Sequence, residues 1–337
     1  RASASGNSKN FRLWGVGAAM TDSVSTSPKY FGGTGKISHF QAASGANATL
    51  DNFRFSDSTG TVTVFDLSNG GNVVKLVDMP LPSVSRLHFG NNSMIKLPNG
   101  LVMHGTSGND SLAGGTGSDM LIGAKGNDTY TVNNIGDRPV EEGAEGVDLV
   151  RTTLASYTLA DHIENLSFAG SGNFSATGNG LSNKITGGAG NDRMNGGGGN
   201  DTLTGGQGSD TYWYGRGGRN DTIYNADTGT SPDRLVFGSD ITEDQLWFGK
   251  TDSDLLVTLR GTGGTDTVRL KGWYSATSNQ LAKFQLSDGT TLEASRVQQL
   301  VQAMAAFTTS AGLPVNLTDA QQNTVETVIA ANWHAPA

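Results

Sequence analysis

The chain has 337 residues, 48 of them glycine, no cysteine, and a formal net charge of −8 carried by only 16% charged residues. The missing cysteine excludes disulfides, and no apolar run approaches the roughly 18 residues that a membrane-spanning helix needs. The acidic balance argues against nucleic acid, whose phosphates select Lys and Arg, and the length allows two or three domains.

Residues 1–48 are rich in Ser, Gly, Ala and Asn, with FRLWGVGAAM at 11–20 as the one strongly apolar stretch; no fold is assigned to this segment. The chain opens at Arg1 without Met and without a charged-then-apolar leader, which reads as a mature product or a piece of something longer. A small β module is expected at 49–104. There Leu50, Phe53, Phe55, Val62 and Val64 alternate around the turn signal SDSTG, and NVVKLVDM (72–79) and VSRLHF (84–89) read as further strands.

Three nine-residue blocks follow at 105–131: GTSGNDSLA, GGTGSDMLI and GAKGNDTYT. The period lapses over 132–177, an irregular spacer with short strands, and GNGLSNKIT (178–186) is a degenerate block with Asn183 where Asp is expected. Three more blocks fill 187–213: GGAGNDRMN, GGGGNDTLT and GGQGSDTYW. Gly stands first and fourth, Asp sixth and a large apolar residue eighth. Glycine admits backbone angles that a Cβ forbids, so such a turn can aim its carbonyls at one point while Asp adds a charged oxygen. Calcium takes six to eight oxygens at about 2.3–2.6 Å, a demand met by carbonyls of one turn and carboxylates of its neighbours. The last three residues make a short strand whose middle side chain faces inward: Leu112, Leu121, Tyr130, Met194, Leu203 and Tyr212. A flexible Gly/Asn/Asp linker needs no apolar residue two places after every Asp.

These blocks resemble the RTX family of secreted calcium-binding proteins. The resemblance implies an all-β fold: a parallel β-roll with a thin apolar core and Ca2+ stacked along both edges, flanked by small β modules and short C-terminal helices. It makes Asp110, Asp119, Asp128, Asp192, Asp201 and Asp210 the leading ligands. Carbonyls come from the turns holding Gly105, Gly108, Gly114, Gly117, Gly187, Gly190, Gly196, Gly199, Gly205 and Gly208. Asp137, Glu141, Asp148, Asp221, Asp227 and Asp233 are further candidates, each equally readable as a solvated loop charge. Asn109, Asn127, Asn191 and Asn200 are expected to brace their own turns by local side-chain bonding. Asn183 offers a neutral oxygen and a weaker site. The three blocks at 187–213 should bind tightly and the flanks grade off.

The second run and its closing segment occupy 178–232, where Arg219 puts a cation beside the turn of Asp221. Residues 233–294 resemble the haemolysin-type calcium-binding-related domain, with strands LLVTL and TVRL and a hairpin at SDGT between Phe284, Leu286 and Leu292. SRLHFGNNSMIKL (85–97) looks like a weaker copy of that hairpin. In 295–307, Val297, Leu300, Val301 and Met304 form a helical stripe. Thr318 with Gln321 makes a capping box opening a helix from Asp319 to Trp333 with Val325, Val328 and Ile329. By resemblance, 295–337 is where a type I secretion signal belongs; a helical cap for the roll is the other reading.

No HExxH or GxSxG motif occurs, cysteine is absent, and His39, His88, His104, His162 and His334 are scattered. The sequence therefore reads as non-enzymatic. The expected function is a calcium-binding extracellular structural protein (adhesin, surface-layer or filament type) that folds on calcium after type I export and self-associates. The alternative is the C-terminal secretion and folding module of a hydrolase or toxin whose catalytic domain precedes Arg1.

Overall fold

The computed structural model describes residues 102–225, 232–309 and 317–335 in full, and before residue 102 only the backbone of individual strands. The chain divides into two compact units, Arg1–Asp148 and Leu149–Ala337.

In the first unit, Asn10–Gly15 pairs antiparallel with Ala18–Ser23 and Ile37–Ala42. Phe53–Ser56, Val62–Asp66 and Asn72–Leu76 form an antiparallel meander, and most of the expected SDSTG turn lies outside the described residues. The strand expected at 84–89 and the first part of the proposed hairpin copy, with His88, lie outside the described residues. Ser93–Leu97 pairs antiparallel with Gly100–His104, which then pairs in parallel with Met120–Ile122, and that strand with Arg138–Val140. On a second sheet, Ser111–Ala113 and Thr129–Val132 run parallel. The chain thus passes from hairpins to a roll as soon as the Gly/Asp turns begin.

The second unit continues as a roll up to the strand Lys283–Gln285. One sheet carries Leu149–Thr152, Asn165–Phe168, Lys184–Thr186, Thr202–Thr204, Asn220–Ile223 and Thr267–Leu270, all parallel. The other carries Ser156–Thr158, Ser175–Thr177, Arg193–Asn195, Thr211–Tyr214, Arg234–Phe237 and Lys283–Gln285, also parallel. Two nonapeptides make one turn, one strand in each sheet, so Lys184 faces Thr202 and Arg193 faces Thr211. Three-residue strands bury only their middle side chain, which gives inward ladders of Leu166, Ile185, Leu203, Ile223 and of Ala176, Met194, Tyr212, Leu235. The spacer adds Phe168 and Phe174, stacked at 4.5 Å.

Residues 233–294 do not stand apart as a flanking module: Thr267–Leu270 and Lys283–Gln285 extend both sheets of the roll. The parallel order then ends. Asp254–Leu259 and Leu246–Thr251 add antiparallel to one sheet, and Thr291–Glu293 to the other, across the SDGT turn where Gly289 takes φ +93°. Helix α1 (Ala294–Ala305) buries Val297, Leu300, Val301 and Met304 against this end, with Phe248 N–H donating to Met304 Sδ at 3.2 Å. Trp247, Trp273 and Phe284 complete the cluster, Phe248 standing edge-on to Phe284 at 5.4 Å. Helix α2 (Asp319–Asn332) opens on the expected box: Thr318 N–H donates to Gln321 Oε1 at 2.9 Å and Gln321 N–H returns to Thr318 Oγ1. It buries Val325 and Ile329 and contacts α1. Unpaired parallel edges invite association, and this end is closed by hairpins and helices instead.

Candidate metal centre

Each Asp at block position six sits at the end of a turn, immediately before a strand, and stacks on its counterpart one full turn later. The stack is a ladder in which a backbone N–H donates to the next carboxylate. Asp110 N–H donates to Asp128 Oδ1 at 2.7 Å, and Asp128 N–H to Asp148 Oδ1 at 2.7 Å. Asp119 N–H donates to Asp137 Oδ1 at 3.0 Å. In the second unit the columns are Asn183–Asp201–Asp221, at 2.7 and 2.9 Å, and Asp192–Asp210–Asp233, at 2.8 and 2.6 Å. Asp192 Oδ1 also takes the N–H of Phe174. Asp137, Asp148, Asp221 and Asp233, which the sequence left between ligand and loop charge, therefore stand in line with the leading residues. All are buried, as are Asp119, Asp128, Asp192, Asp201, Asp210 and Glu141; Asp110 is half-buried. Asp227 lies outside the described residues.

The turns leave room for one thing on the inside of each Asp. A Cβ at Gly187 would meet Asp192 Oδ2 and the carbonyl of Gly205; at Gly105 it would meet Asp110 Oδ2 and the carbonyl of Gly123. At Gly114, Gly196 and Gly205 it would meet Asp119, Asp201 and Asp210. Carboxylate and next-turn carbonyl thus converge over Gly105 and Gly187. The fourth-position Gly190, Gly199 and Gly208 lie against the carbonyls of Gly172, Leu181 and Gly190, and Gly199 and Gly208 take φ of +116° and +114°, which a side chain would strain. Gly126 lies in the same way against the carbonyl of Gly108, while Gly117 is half-buried in the turn before Asp119.

The second carboxylate oxygens divide into two groups. Those of Asp110, Asp137 and Asp192 accept N–H groups of their own turns, from Thr106, from Asn133 and Asn134, and from Gly188. Asp128 Oδ2, Asp201 Oδ2 and Glu141 Oε2 are buried with no hydrogen-bond partner. A buried acceptor left unmade is costly, and a cation would satisfy these. Burial pushes the Asp201 carboxyl up to about 6 and those of Asp221 and Glu141 up to about 8, and it raises Asp128 and Asp192. Buried oxygens with glycine-made space and adjacent carbonyls suit a hard cation such as Ca2+; residues of this set would hold it.

Two inward tyrosines do more than fill the core. Tyr130 Oη donates to Glu141, while Tyr212 Oη accepts Gly205 N–H at 3.0 Å and donates to Asn225 Oδ1 at 3.2 Å. The asparagines before Asp brace the next turn, not their own. Asn109 Oδ1 accepts from Asn127 N–H, Asn127 from Val147, Asn191 from Ser209 and Asn200 from Asn220, at 2.8–3.1 Å. The expected local bonding is replaced because stacking puts a free N–H directly above each amide. Arg219 keeps its side chain exposed; its carbonyl accepts Tyr214 Oη at 2.6 Å and Thr267 N–H at 2.7 Å.

Asn183 differs from the weak ligand expected of it. Its Nδ2 donates to the carbonyls of Ile163 and Glu164, both at 3.2 Å, and Asn179 Nδ2 donates to those of Ala160 and Ile163 at 2.7 and 2.8 Å. Two amides occupy the donor role that a cation plays elsewhere. Replacing both by the block residues, as Asn179→Gly with Asn183→Asp, is expected to add one bound calcium per chain. Native mass spectrometry counts it, and an unchanged stoichiometry would contradict this account.

Asp266 escaped the sequence reading. It is buried and accepts Gly217 N–H at 2.9 Å. Gly261, Gly264, Asp266 and Val268 keep the block spacing, as do Gly143, Gly146, Asp148 and Val150; each stands outside the two runs of consecutive blocks that reveal the period.

The comparisons agree with this geometry. The RTX calcium-binding nonapeptide repeat matches in four copies over 102–132 and 177–212. The haemolysin-type calcium binding protein related domain matches over 254–296. The chain carries RTX calcium-binding nonapeptide repeats folded as a β-roll, and these repeats bind Ca2+. A segment of 93 residues is 43% identical to the endo-1,3-1,4-beta-glycanase ExsH of Rhizobium meliloti (strain 1021), covering 27% of this chain and 20% of that protein. The chain therefore spans about a fifth of that relative. Among the described residues no helix is long and apolar enough to cross a membrane.

Proposed function

We propose that this chain is a structural and folding element of the extracellular space, exported by a type I exporter and folded by calcium after release, with Asp110, Asp119, Asp128, Asp192, Asp201, Asp210, Asp221 and Asp233 among the ligands. The columns of buried carboxylates, stacked one turn upon the next, carry the reading. In a cell with little free calcium those charges oppose folding, whereas extracellular modules work with sites of about 10⁻⁴–10⁻³ M affinity. Metal-binding energy then becomes folding energy. RTX repeats are a feature of type I secretion substrates, and the segment 295–337 with α1 and α2 is assigned both roles, export signal and cap. The low charge and Ser/Thr/Asn-rich surface favour self-association. Calcium-loaded protein is expected to sediment as concentration-dependent oligomers. A strict monomer at high concentration would contradict the structural-assembly reading.

The match to a glycanase favours a second reading, in which the same roll is the C-terminal module of a secreted hydrolase. That relative is matched over only a fifth of its length. The reading frame upstream of Arg1 separates the two: a catalytic domain there supports the second.

A further inference from the structure

Asp128, Glu141 and Asp148 bring one carboxylate oxygen each to within 4.8 Å of the others, and among the described residues they are the only three such groups that meet. Oxygens bound to one Ca2+ at about 2.3–2.6 Å stand at most about 5 Å apart, so this span fits a single ion. Asp128 is 1% and Glu141 8% exposed, and Asp128 Oδ2 and Glu141 Oε2 have no hydrogen-bond partner. Neither residue makes an ion pair among the described residues. Each group is held from behind: Asp128 Oδ1 by Asp110 N–H, Asp148 Oδ1 by Asp128 N–H, and Glu141 Oε1 by Tyr130 Oη. The space between them exists because residue 123 is glycine, where a Cβ would meet Asp128 Oδ2, Tyr130 Oη and Glu141 Oε1.

We propose that Asp128, Glu141 and Asp148 form a three-carboxylate calcium site, the tightest in the roll, with Glu141 supplying a charged ligand from outside the nonapeptide pattern. The proposal rests on the roll binding calcium at its Asp columns. Glu141 and Asp148 lie beyond the residues matched by the repeat family, which end at 132 in this run. The chain contains its own control. Tyr212 is the counterpart of Tyr130 in the second run, and its hydroxyl meets Asn225 Oδ1, a neutral group, where Tyr130 meets Glu141. Calcium affinity rises with the number of charged ligands at a site. A third carboxylate therefore places this site above the columns at 187–213.

Calcium isotherms of the full chain test this, by calorimetry from a chelated start. The wild type should show one ion bound about tenfold or more tighter than the rest. Glu141→Gln should abolish that class and leave the weaker ions and the calcium-induced β signal in place. Asn225→Glu should raise the tight class from one ion to two. Terbium excited through tyrosine should report the first ion in the wild type and lose that early signal in Tyr130→Phe. A Glu141→Gln isotherm identical to wild type would overturn the proposal. If Glu141→Gln does not fold, a tight class left unchanged by Asn225→Glu overturns it instead. A wild type that binds no calcium would sink the broader reading, an outcome distinct from either.

Discussion

Chelating calcium with EGTA is expected to melt both repeat runs, erasing most of the β signal in circular dichroism and restoring it on calcium addition. The reason is the balance within one turn. Two nonapeptides must be ordered, many of their residues being glycine, which loses more conformational freedom than any other residue. In return each turn buries two inward side chains, such as Ile185 with Met194 or Leu203 with Tyr212. Small cores of this kind depend on a metal to stay folded. The carboxylates make the dependence steeper. Without an ion, burial raises Asp201 from 3.8 to about 6, Asp221 from 3.8 to about 8 and Glu141 from 4.5 to about 8. A group whose folded pKa is raised supports the fold below its unfolded pKa and ceases to as pH climbs through the folded one. In EGTA, the contribution of these groups to order should thus be greatest below about pH 4 and fall away toward pH 8. With calcium present the direction reverses, because protons then compete with the ion for the same oxygens. A spectrum indifferent to EGTA at pH 8 would refute this account.

Asp201→Ala is expected to be the most damaging single substitution in the second run. Asp201 Oδ1 accepts Asn183 N–H at 2.7 Å, its own N–H donates to Asp221 Oδ1 at 2.9 Å, and Oδ2 faces the metal space over Gly196. Alanine keeps the backbone donor and removes everything else. The Asn183 N–H is left buried without a partner, at about 1–3 kcal/mol, and one charged ligand is lost from a column whose upstream member is already neutral. We expect a total loss of about 3 kcal/mol or more in the calcium-loaded protein, which lowers the melting temperature by roughly 10 °C for a unit of this size. At least one bound ion should go with it. Scanning calorimetry at saturating calcium measures the first and native mass spectrometry the second; a variant matching wild type in both would remove Asp201 from the ligand set.

Much of this was legible in the residues. The nine-residue period, the sixth-position Asp and the eighth-position apolar side chain name the turns, the strands and the inward ladder, because each depends on spacing within one block. Leu203 or Met194 faces the core for the same reason that any middle residue of a three-residue strand does. The stripe of Val297, Leu300, Val301 and Met304 and the box of Thr318 with Gln321 are equally local, and the helices fall where they predict.

What spacing within a block cannot state is which turns meet. The pairing register sets that, and it joins residues eighteen to forty-nine apart, from Lys184 with Thr202 to Arg234 with Lys283. Register decided that Asp201 faces Asp221 across a whole turn, skipping Asp192 and Asp210 in the neighbouring blocks. It made the asparagines into ties between turns and turned Asn183 from a feeble ligand into a donor toward Ile163 and Glu164. It also drew residues 267–270 and 283–285 into the roll. Chemistry-bearing residue types and their local geometry were written in the sequence. Their partners were fixed only by the stacking of one turn on the next, and by it Glu141 came to lie beside Asp128 and Asp148.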